Sequence, residues 1–153
     1  MKIRMALISI LTLASTAAWA TEISLDEVPQ VVKQAFLKAH PDAEDIKVEK
    51  EDDEYGEPLY EFEYRENGKE HEALYHTDGS FFGYEREIPV SHLPQSIREQ
   101  IAKQFPNGRI DEAEVVVNDK NTPLAYEVEV KDNGEEWEVY FNADGSFINK
   151  RKD

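Results

Sequence analysis

The spacing of apolar residues along the chain switches between a helical period and a strand period. Val28, Val32 and Phe36 lie four residues apart, which predicts a helix with one apolar face. A second series of the same kind runs from Leu93 to Phe105. Pro41 follows Phe36 by five residues, and Pro106 directly follows Phe105; a helix rarely continues through proline. The pattern therefore predicts two short helices.

After each predicted helix, apolar residues alternate with glutamates. Glu61 and Glu63 alternate with aromatic residues, and Glu127 and Glu129 alternate with apolar residues in a later segment. This period of two is typical of strands that bury one face. Asn-Gly and Asp-Gly dipeptides follow each segment, and both are typical of tight turns between antiparallel strands. The sequence therefore predicts antiparallel sheets with one apolar face and one acidic face.

The two helix-and-strand patterns are copies of each other. Residues 60–81 and 126–147 are identical at 11 of 22 positions, at a constant offset of 66. Such self-similarity at a fixed period is the signature of an internal repeat. We expect an α+β fold of two tandem repeats, residues 21–87 and 88–153, that form one cooperative unit. In each repeat one helix precedes a four-stranded antiparallel β-meander, and the helices lie on one sheet face.

Residues 1–20 have the features of a signal peptide. Arg4 precedes an uncharged stretch of 16 residues that ends in Ala18-Trp19-Ala20. Small residues at these positions suit a signal peptidase, and the stretch is shorter than the roughly 20 residues that span a bilayer. We expect cleavage before Thr21, a periplasmic or secreted location, and no membrane insertion after cleavage.

The chain is strongly acidic, with 33 Asp and Glu against 17 Lys and Arg, and a formal net charge of −16 at pH 7. This balance argues against nucleic-acid binding, which needs basic residues to neutralise phosphates. Cations and basic protein surfaces are the partners that suit such a charge, although the charge also favours plain solubility. There is no cysteine, so disulfides and thiolate chemistry are excluded.

The order of the motifs resembles the PepSY-like family. His40-Pro41 and Phe105-Pro106 end the predicted helices, and each is followed by Tyr-Glu-x-Glu, Asn-Gly and Asp-Gly-Ser-Phe. The resemblance implies a secreted or periplasmic protein with a fold like that of the β-lactamase-inhibitor protein. It also implies binding or modulation of other proteins, including inhibition of an envelope enzyme. It provides no catalytic motif.

The acidic face is the predicted contact surface. Leu74 and Tyr140 occupy equivalent positions in the two repeats, in phase with glutamates. Apolar residues among carboxylates on an open sheet would form a contact patch with a polar rim. The alternative is that linkers or the terminal tail cover them. The predicted partner-binding residues are Glu61, Glu63, Glu72, Leu74, Glu127, Glu129, Glu138 and Tyr140.

An acidic run after the first long strand is a candidate metal site. Asp52, Asp53 and Glu54 lie in a connection that also contains Gly56. Calcium prefers several oxygen ligands, often carboxylates on a flexible loop. The alternative is a solvated loop, which is the usual state of a charge run. The four histidines lack the spacing of zinc ligands.

No motif predicts catalysis. Glutamate pairs are plentiful, but strand alternation is expected to keep them on a wet face, where the pKa is not expected to shift. We expect a non-enzymatic periplasmic protein that contacts an envelope protein through its acidic face, as a monomer or a weak dimer with open sheet edges. The alternative is a calcium-binding or calcium-responsive periplasmic protein, and no cofactor other than Ca²⁺ is expected.

Overall fold

The computed structural model describes residues 21–52 and 54–152. The predicted signal peptide lies outside the described residues. Nine strands, two α-helices and one 3₁₀ turn follow one another in this part of the chain. Their bounds are β1 Thr21–Ile23, α1 Gln30–Ala39, β2 Glu44–Glu51, β3 Leu59–Glu66, β4 Lys69–His76, β5 Phe81–Glu87, the 3₁₀ turn Val90–His92, α2 Gln95–Gln104, β6 Arg109–Val117, β7 Pro123–Asp132, β8 Glu135–Asn142 and β9 Phe147–Lys152.

All nine strands form one antiparallel sheet in which each strand pairs with its neighbours in the chain. Four strands follow α1 and four follow α2. The predicted α+β class is confirmed. The short strand β1 was not predicted, and it adds an edge to β2 through pairs such as Thr21 with Lys50. Within the described residues, no helix is both long enough and apolar enough to cross a bilayer.

Proline positions explain the bounds of both helices. Pro29 and Pro94 directly precede the first residues of α1 and α2, where a missing N–H removes no helical hydrogen bond. His40 and Phe105 follow the last helical residues, and each precedes a proline. A residue before proline is disfavoured in the helical region. Each helix therefore has ten residues.

The helices pack on the apolar face of the sheet. In the first half, Phe36 of α1 stacks on Phe62 of β3 with ring centroids 4.1 Å apart. In the second half, Ile97 and Ile101 of α2 belong to a buried cluster with Val128 of β7. Burial of such a side chain contributes about 1.5–3 kcal/mol. Two separate cores therefore lie beneath the two helices.

Strand β5 joins the two halves. Its first part pairs with β4, ending at Glu72 opposite Glu85, and its last part pairs with β6, from Tyr84 opposite Val117 onward. Because β5 divides its pairing in this way, one sheet runs through both halves of the chain.

Candidate functional site

The sheet face that the helices leave uncovered is concave. Arg151 in β9 approaches Glu51 in β2, with its Nη1 3.6 Å from the carboxylate Oε2. Six strands lie between β2 and β9 in the order of the sheet. The sheet therefore curls until side chains from its opposite ends meet.

Carboxyl groups line the cavity that this curl encloses. Its volume is about 140 Å³. Among its described lining residues, seven are glutamates, two are tyrosines and one is the basic residue Arg151. Seven carboxyl groups therefore face one guanidinium. The glutamates are Glu49, Glu51, Glu61, Glu72, Glu85, Glu114 and Glu127, and the tyrosines are Tyr55 and Tyr140.

An apolar layer closes one end of this concave face, and it contains Leu74 and Tyr140. Both residues lie in the predicted phase, since Leu74 is opposite Glu61 and Tyr140 is opposite Glu127. The predicted exposed patch is nevertheless wrong, because Leu74 is 0% and Tyr140 1% exposed. Tyr55, from the β2–β3 connection, packs edge-on against Tyr140 in the same apolar cluster. A connection therefore covers these residues, as the alternative expected.

Tyr55 also organises the carboxyl groups. Its hydroxyl donates a hydrogen bond to Glu85 in β5, and its oxygen lies 3.2 Å from Oε2 of Glu127 in β7. A phenol has one proton, so hydrogen bonds to both residues need a proton on one of the two carboxyl groups. The geometry thus favours one protonated carboxyl group in this pair.

Arg151 is the internal counter-charge of the site. Its guanidinium donates hydrogen bonds to Glu54 and Glu138 and lies over the ring of Tyr140, 5.6 Å from the centroid. Only 13% of its side chain is exposed. Charge-assisted hydrogen bonds of this kind are stronger than neutral ones, so Arg151 ties β9 to the opposite end of the sheet.

Carboxyl groups that line the cavity, some buried and some partly buried, have raised pKa values. Burial, and then the neighbouring Glu54, raises the pKa of Glu51 to about 8. Burial, and then Glu72, raises the pKa of Glu114 to about 8. Burial, and then neighbouring glutamates, raise the pKa well above the ordinary value at three more positions. The sequence predicted unshifted pKa values on a solvent-exposed face, and that prediction is wrong there. These positions are Glu61, Glu85 and Glu127.

Two groups of three carboxylates have the spacing that a divalent cation needs. Oxygens of Glu61, Glu72 and Glu85 lie within 4.8 Å of one another, as do those of Glu85, Glu114 and Glu127. Two oxygens on one Ca²⁺ are up to about 5 Å apart, given Ca–O distances of 2.3–2.6 Å. Glu85 belongs to both groups, so the cavity offers two adjoining positions for a cation.

Sequence reasoning missed Glu85 and Glu114. Glu114 alternates with Ala113 and Val115 on β6, and this alternation was the available signal. Glu85 on β5 has Tyr84 on one side and Arg86 on the other, and Gly83 and a register shift between β4 and β5 interrupt the pattern there. The ligand candidate that both groups share therefore lies where the periodic pattern is weakest.

The structure separates the two described residues of the acidic run at 52–54. Asp52 pairs with Lys50 at the surface, whereas Glu54 is 3% exposed and pairs with Arg151. Asp53 lies outside the described residues. The connection folds inward and sends Glu54 beneath the curled sheet, so Asp52 and Glu54 do not converge on one point.

The remaining predicted contact residues lie around the cavity. Glu63 lies at the rim beside Lys47, 2.9 Å from its Nζ, and Glu129 lies 3.6 Å from Lys131. Glu138 adjoins the cavity through Arg151. The structure therefore separates the predicted set into a rim, a buried layer and a cavity lining. The lining members are Glu61, Glu72, Glu127 and Tyr140.

Two family models match the chain. The PepSY-like model, provisionally described as beta-lactamase-inhibitor-like, matches residues 59–149. The model of the peptidase propeptide and YPEB domain matches residues 22–75. Together these matches span both halves of the sheet. No curated protein matches the chain in sequence.

Solved structures from Bacteroides species match the chain to different degrees. A provisionally described periplasmic protein of Bacteroides eggerthii has 16% identity and a TM-score of 0.50, covering 82% of this chain and 88% of its own. A BLIP-like protein of Bacteroides fragilis has 19% identity and a TM-score of 0.46, covering 81% and 85%. A provisionally described calcium-regulated periplasmic protein of Bacteroides thetaiotaomicron has 18% identity and a TM-score of 0.36, covering 86% and 96%.

Proposed function

The chain belongs to the PepSY-like family, and we propose that it is a non-enzymatic periplasmic binding protein that receives basic groups of another protein on its concave acidic face. The partner is an envelope protein, and the chain modulates or inhibits it. The description of the family as beta-lactamase-inhibitor-like supports a protein partner.

One observation carries this proposal: seven glutamates of the cavity face a single arginine. Crowded carboxylates in a poorly solvated site repel one another, and an incoming cation relieves that repulsion. The fold has already removed much of the water from these groups and fixed their positions. Binding therefore requires little further ordering on this side of the interface, which favours affinity.

The rim supports an approach by a basic surface. Glu63 and Glu129 are partly exposed, at 39% and 32% of their side chains. Lys47 and Lys131 lie beside them, but the protein as a whole has an excess of acidic charge. Such an excess around a concave site steers a basic partner and raises its association rate. We infer that the rim guides the partner and that the cavity binds one of its Lys or Arg side chains.

Charge reversal at the rim tests the proposal in intact cells. Glu63→Lys with Glu129→Lys changes the rim and leaves the buried glutamates in place. Asp42→Lys with Glu99→Lys makes the same change in net charge at exposed positions on the helical side and is the matched control. Crosslinking followed by mass spectrometry is expected to lose one envelope protein in the rim variant and to keep it in the control. Equal capture by both variants would overturn the proposal.

The two carboxylate groups that share Glu85 favour a second candidate function, calcium binding. A divalent ion would neutralise carboxyl groups that burial otherwise keeps protonated, so binding is expected to be tighter at pH 8 than at pH 6. Calorimetry with CaCl₂ tests this directly. Glu85→Gln is expected to abolish the heat, and Glu63→Gln at the rim is expected to keep it. No heat and no change in melting temperature at millimolar Ca²⁺ would dismiss the calcium function.

We also infer that the two halves are copies of one helix-and-meander unit, which bears on how the site arose. Corresponding turn residues Asn67 and Asn133 both have positive φ, at 52° and 53°. Buried helix residues correspond as well, since Phe36 in α1 and Ile101 in α2 both lie three residues before the end of their helices. The cavity then draws its walls from both copies.

A further inference from the structure

The sheet has a gap between β4 and β5. Their pairing runs from Tyr75 to Glu72 on β4 and ends there, opposite Glu85. The first three residues of β4, 69–71, pair with β3 alone, and Arg86 and Glu87 pair with β6 alone. All of these residues are described, and no ladder pair joins the two strands beyond Glu72 and Glu85. Two strand edges therefore face each other without pairing inside a continuous sheet.

The gap is open on both sides of the sheet. A cavity of about 300 Å³ and another of about 320 Å³ flank it. One extends toward Tyr84 and Val117, and the other toward Glu112 and Glu114. The residues that both cavities share are Glu70, His71, Glu72, Glu85 and Arg86.

Unpaired strand edges bind extended peptides through main-chain hydrogen bonds, with specificity from alternate side chains. Residues 69–71 of β4, which pair on one side alone, correspond to about 10 Å of strand, at roughly 3.3 Å per residue. The acidic side of the gap carries six glutamates against Arg86. The other side presents Tyr84 and Val117 beside the polar residues Asn118, Asp119 and Asn121. An added strand would therefore meet carboxylates on one face, and Tyr84 and Val117 with a polar border on the other.

We propose that the gap between β4 and β5 binds an extended segment of the partner as an added strand, with basic residues on one face and apolar residues on the other. This inference rests on the proposed function, because the basic residues would enter the concave acidic face. It adds the conformation and sequence pattern of the partner segment, which is an extended strand with alternating basic and apolar residues. The charge of the cavity alone does not specify either.

Short synthetic peptides test strand addition separately from charge. The probe is a capped Val-Lys-Val-Lys-Val peptide that carries a fluorophore. The first control has the same side chains with N-methylated valines, which keeps the charge and removes the main-chain donors of the valines, all on one edge of the strand. The second control has glutamate in place of lysine. Anisotropy with the purified protein is expected to show binding of the probe, at least tenfold weaker binding of the N-methylated peptide, and none of the acidic one.

Amide chemical shifts locate the bound peptide. The amides of residues 69–71 and of Arg86 and Glu87 are expected to shift and to become protected from exchange when the probe binds. Equal affinity of the N-methylated peptide, or shifts confined to the rim at Glu63 and Glu129, would overturn strand addition while charge-based binding survives. Absence of probe binding would also overturn strand addition. The proposed function is tested independently, by the crosslinking comparison of the rim and control variants in cells.

Discussion

Arg151 of β9 and Glu54 of the β2–β3 connection form an ion pair across 97 positions of the chain. The pair joins the last strand to a connection in the first half, so it spans the opening of the curled sheet. It also supplies the guanidinium that faces the buried carboxyl groups. Stability, closure of the cavity and charge balance therefore depend on the same side chain.

Replacement of Arg151 by methionine is expected to destabilise the protein by about 3 kcal/mol at pH 7, because loss of the guanidinium leaves a buried carboxylate without its opposite charge. Lys152→Met is the matched control. Lys152 pairs with Glu135 at the exposed side of β9, and its loss is expected to cost less than about 0.5 kcal/mol. Urea unfolding measures both. Similar costs for the two variants would show that Arg151 is not a buried counter-charge.

The hydroxyl of Tyr55 is expected to stabilise the fold through Glu85. Tyr55→Phe removes the donor of a buried carboxyl group and is expected to cost about 1–3 kcal/mol. Tyr126→Phe, at a similarly buried tyrosine on the helical face, is expected to change the free energy of unfolding by less than about 0.5 kcal/mol. Thermal and urea unfolding of the pair measure the difference, and equal effects would contradict this role of Tyr55.

Stability is expected to fall as the pH rises from 5 to 8. The folded state holds protons on Glu51 and Glu114, whose pKa values are raised from the ordinary 4.5 to about 8, whereas the unfolded chain releases them near 4.5. Their contribution is therefore complete below about pH 4.5 and is lost as the pH rises through 8. Each proton held only by the folded state gives a slope of about 1.4 kcal/mol per pH unit.

Glu51→Gln isolates one part of this pH dependence. The amide cannot ionise, so the variant is expected to lose less stability than the parent between pH 5 and pH 8. Glu44→Gln, at an exposed position of the same strand β2, is expected to retain the parent slope. Melting temperatures in a pH series compare the three proteins. A parent curve that is flat or rises over this window would contradict the raised pKa values.

The turn between β4 and β5 is expected to tolerate no side chain at Gly79. Its φ is +85°, and a Cβ there would lie 2.8 Å from the carbonyl oxygen of Val31 in α1. Gly68 has a φ of +74° and open space around it, so Gly68→Ala is expected to cost only the left-handed strain of about 1–2 kcal/mol. Gly79→Ala is expected to cost at least about 1 kcal/mol more. Equal urea midpoints would show that the turn does not press on α1.

The helices and most strands could be predicted because their signals are local. His40 precedes a proline, and α1 ends immediately before it. Glu61 alternates with Tyr60 and Phe62, and β3 places it opposite the helical face. The three-residue strand β1 is too short for a periodic signal, and it was missed.

The curl of the sheet could not be predicted, and the exposure of the acidic face depends on it. Alternation identifies the face on which Leu74 and Tyr140 lie, but it carries no information on curvature. Burial of both residues depends on Tyr55, a connection residue without periodic context. The raised pKa of Glu61 likewise comes from burial and from Glu51 on the neighbouring strand β2. Long-range packing decides these properties.

The acidic cavity depends on an intact β9, because β9 contacts the β2–β3 connection. A protease that trimmed residues 147–152 would remove the guanidinium and one wall together, since Arg151 lies on β9. The glutamates left behind would repel one another in an open trough and hydrate. Proteolytic trimming of this end would thereby convert a small cavity into a broad anionic channel, with a different choice of ligand.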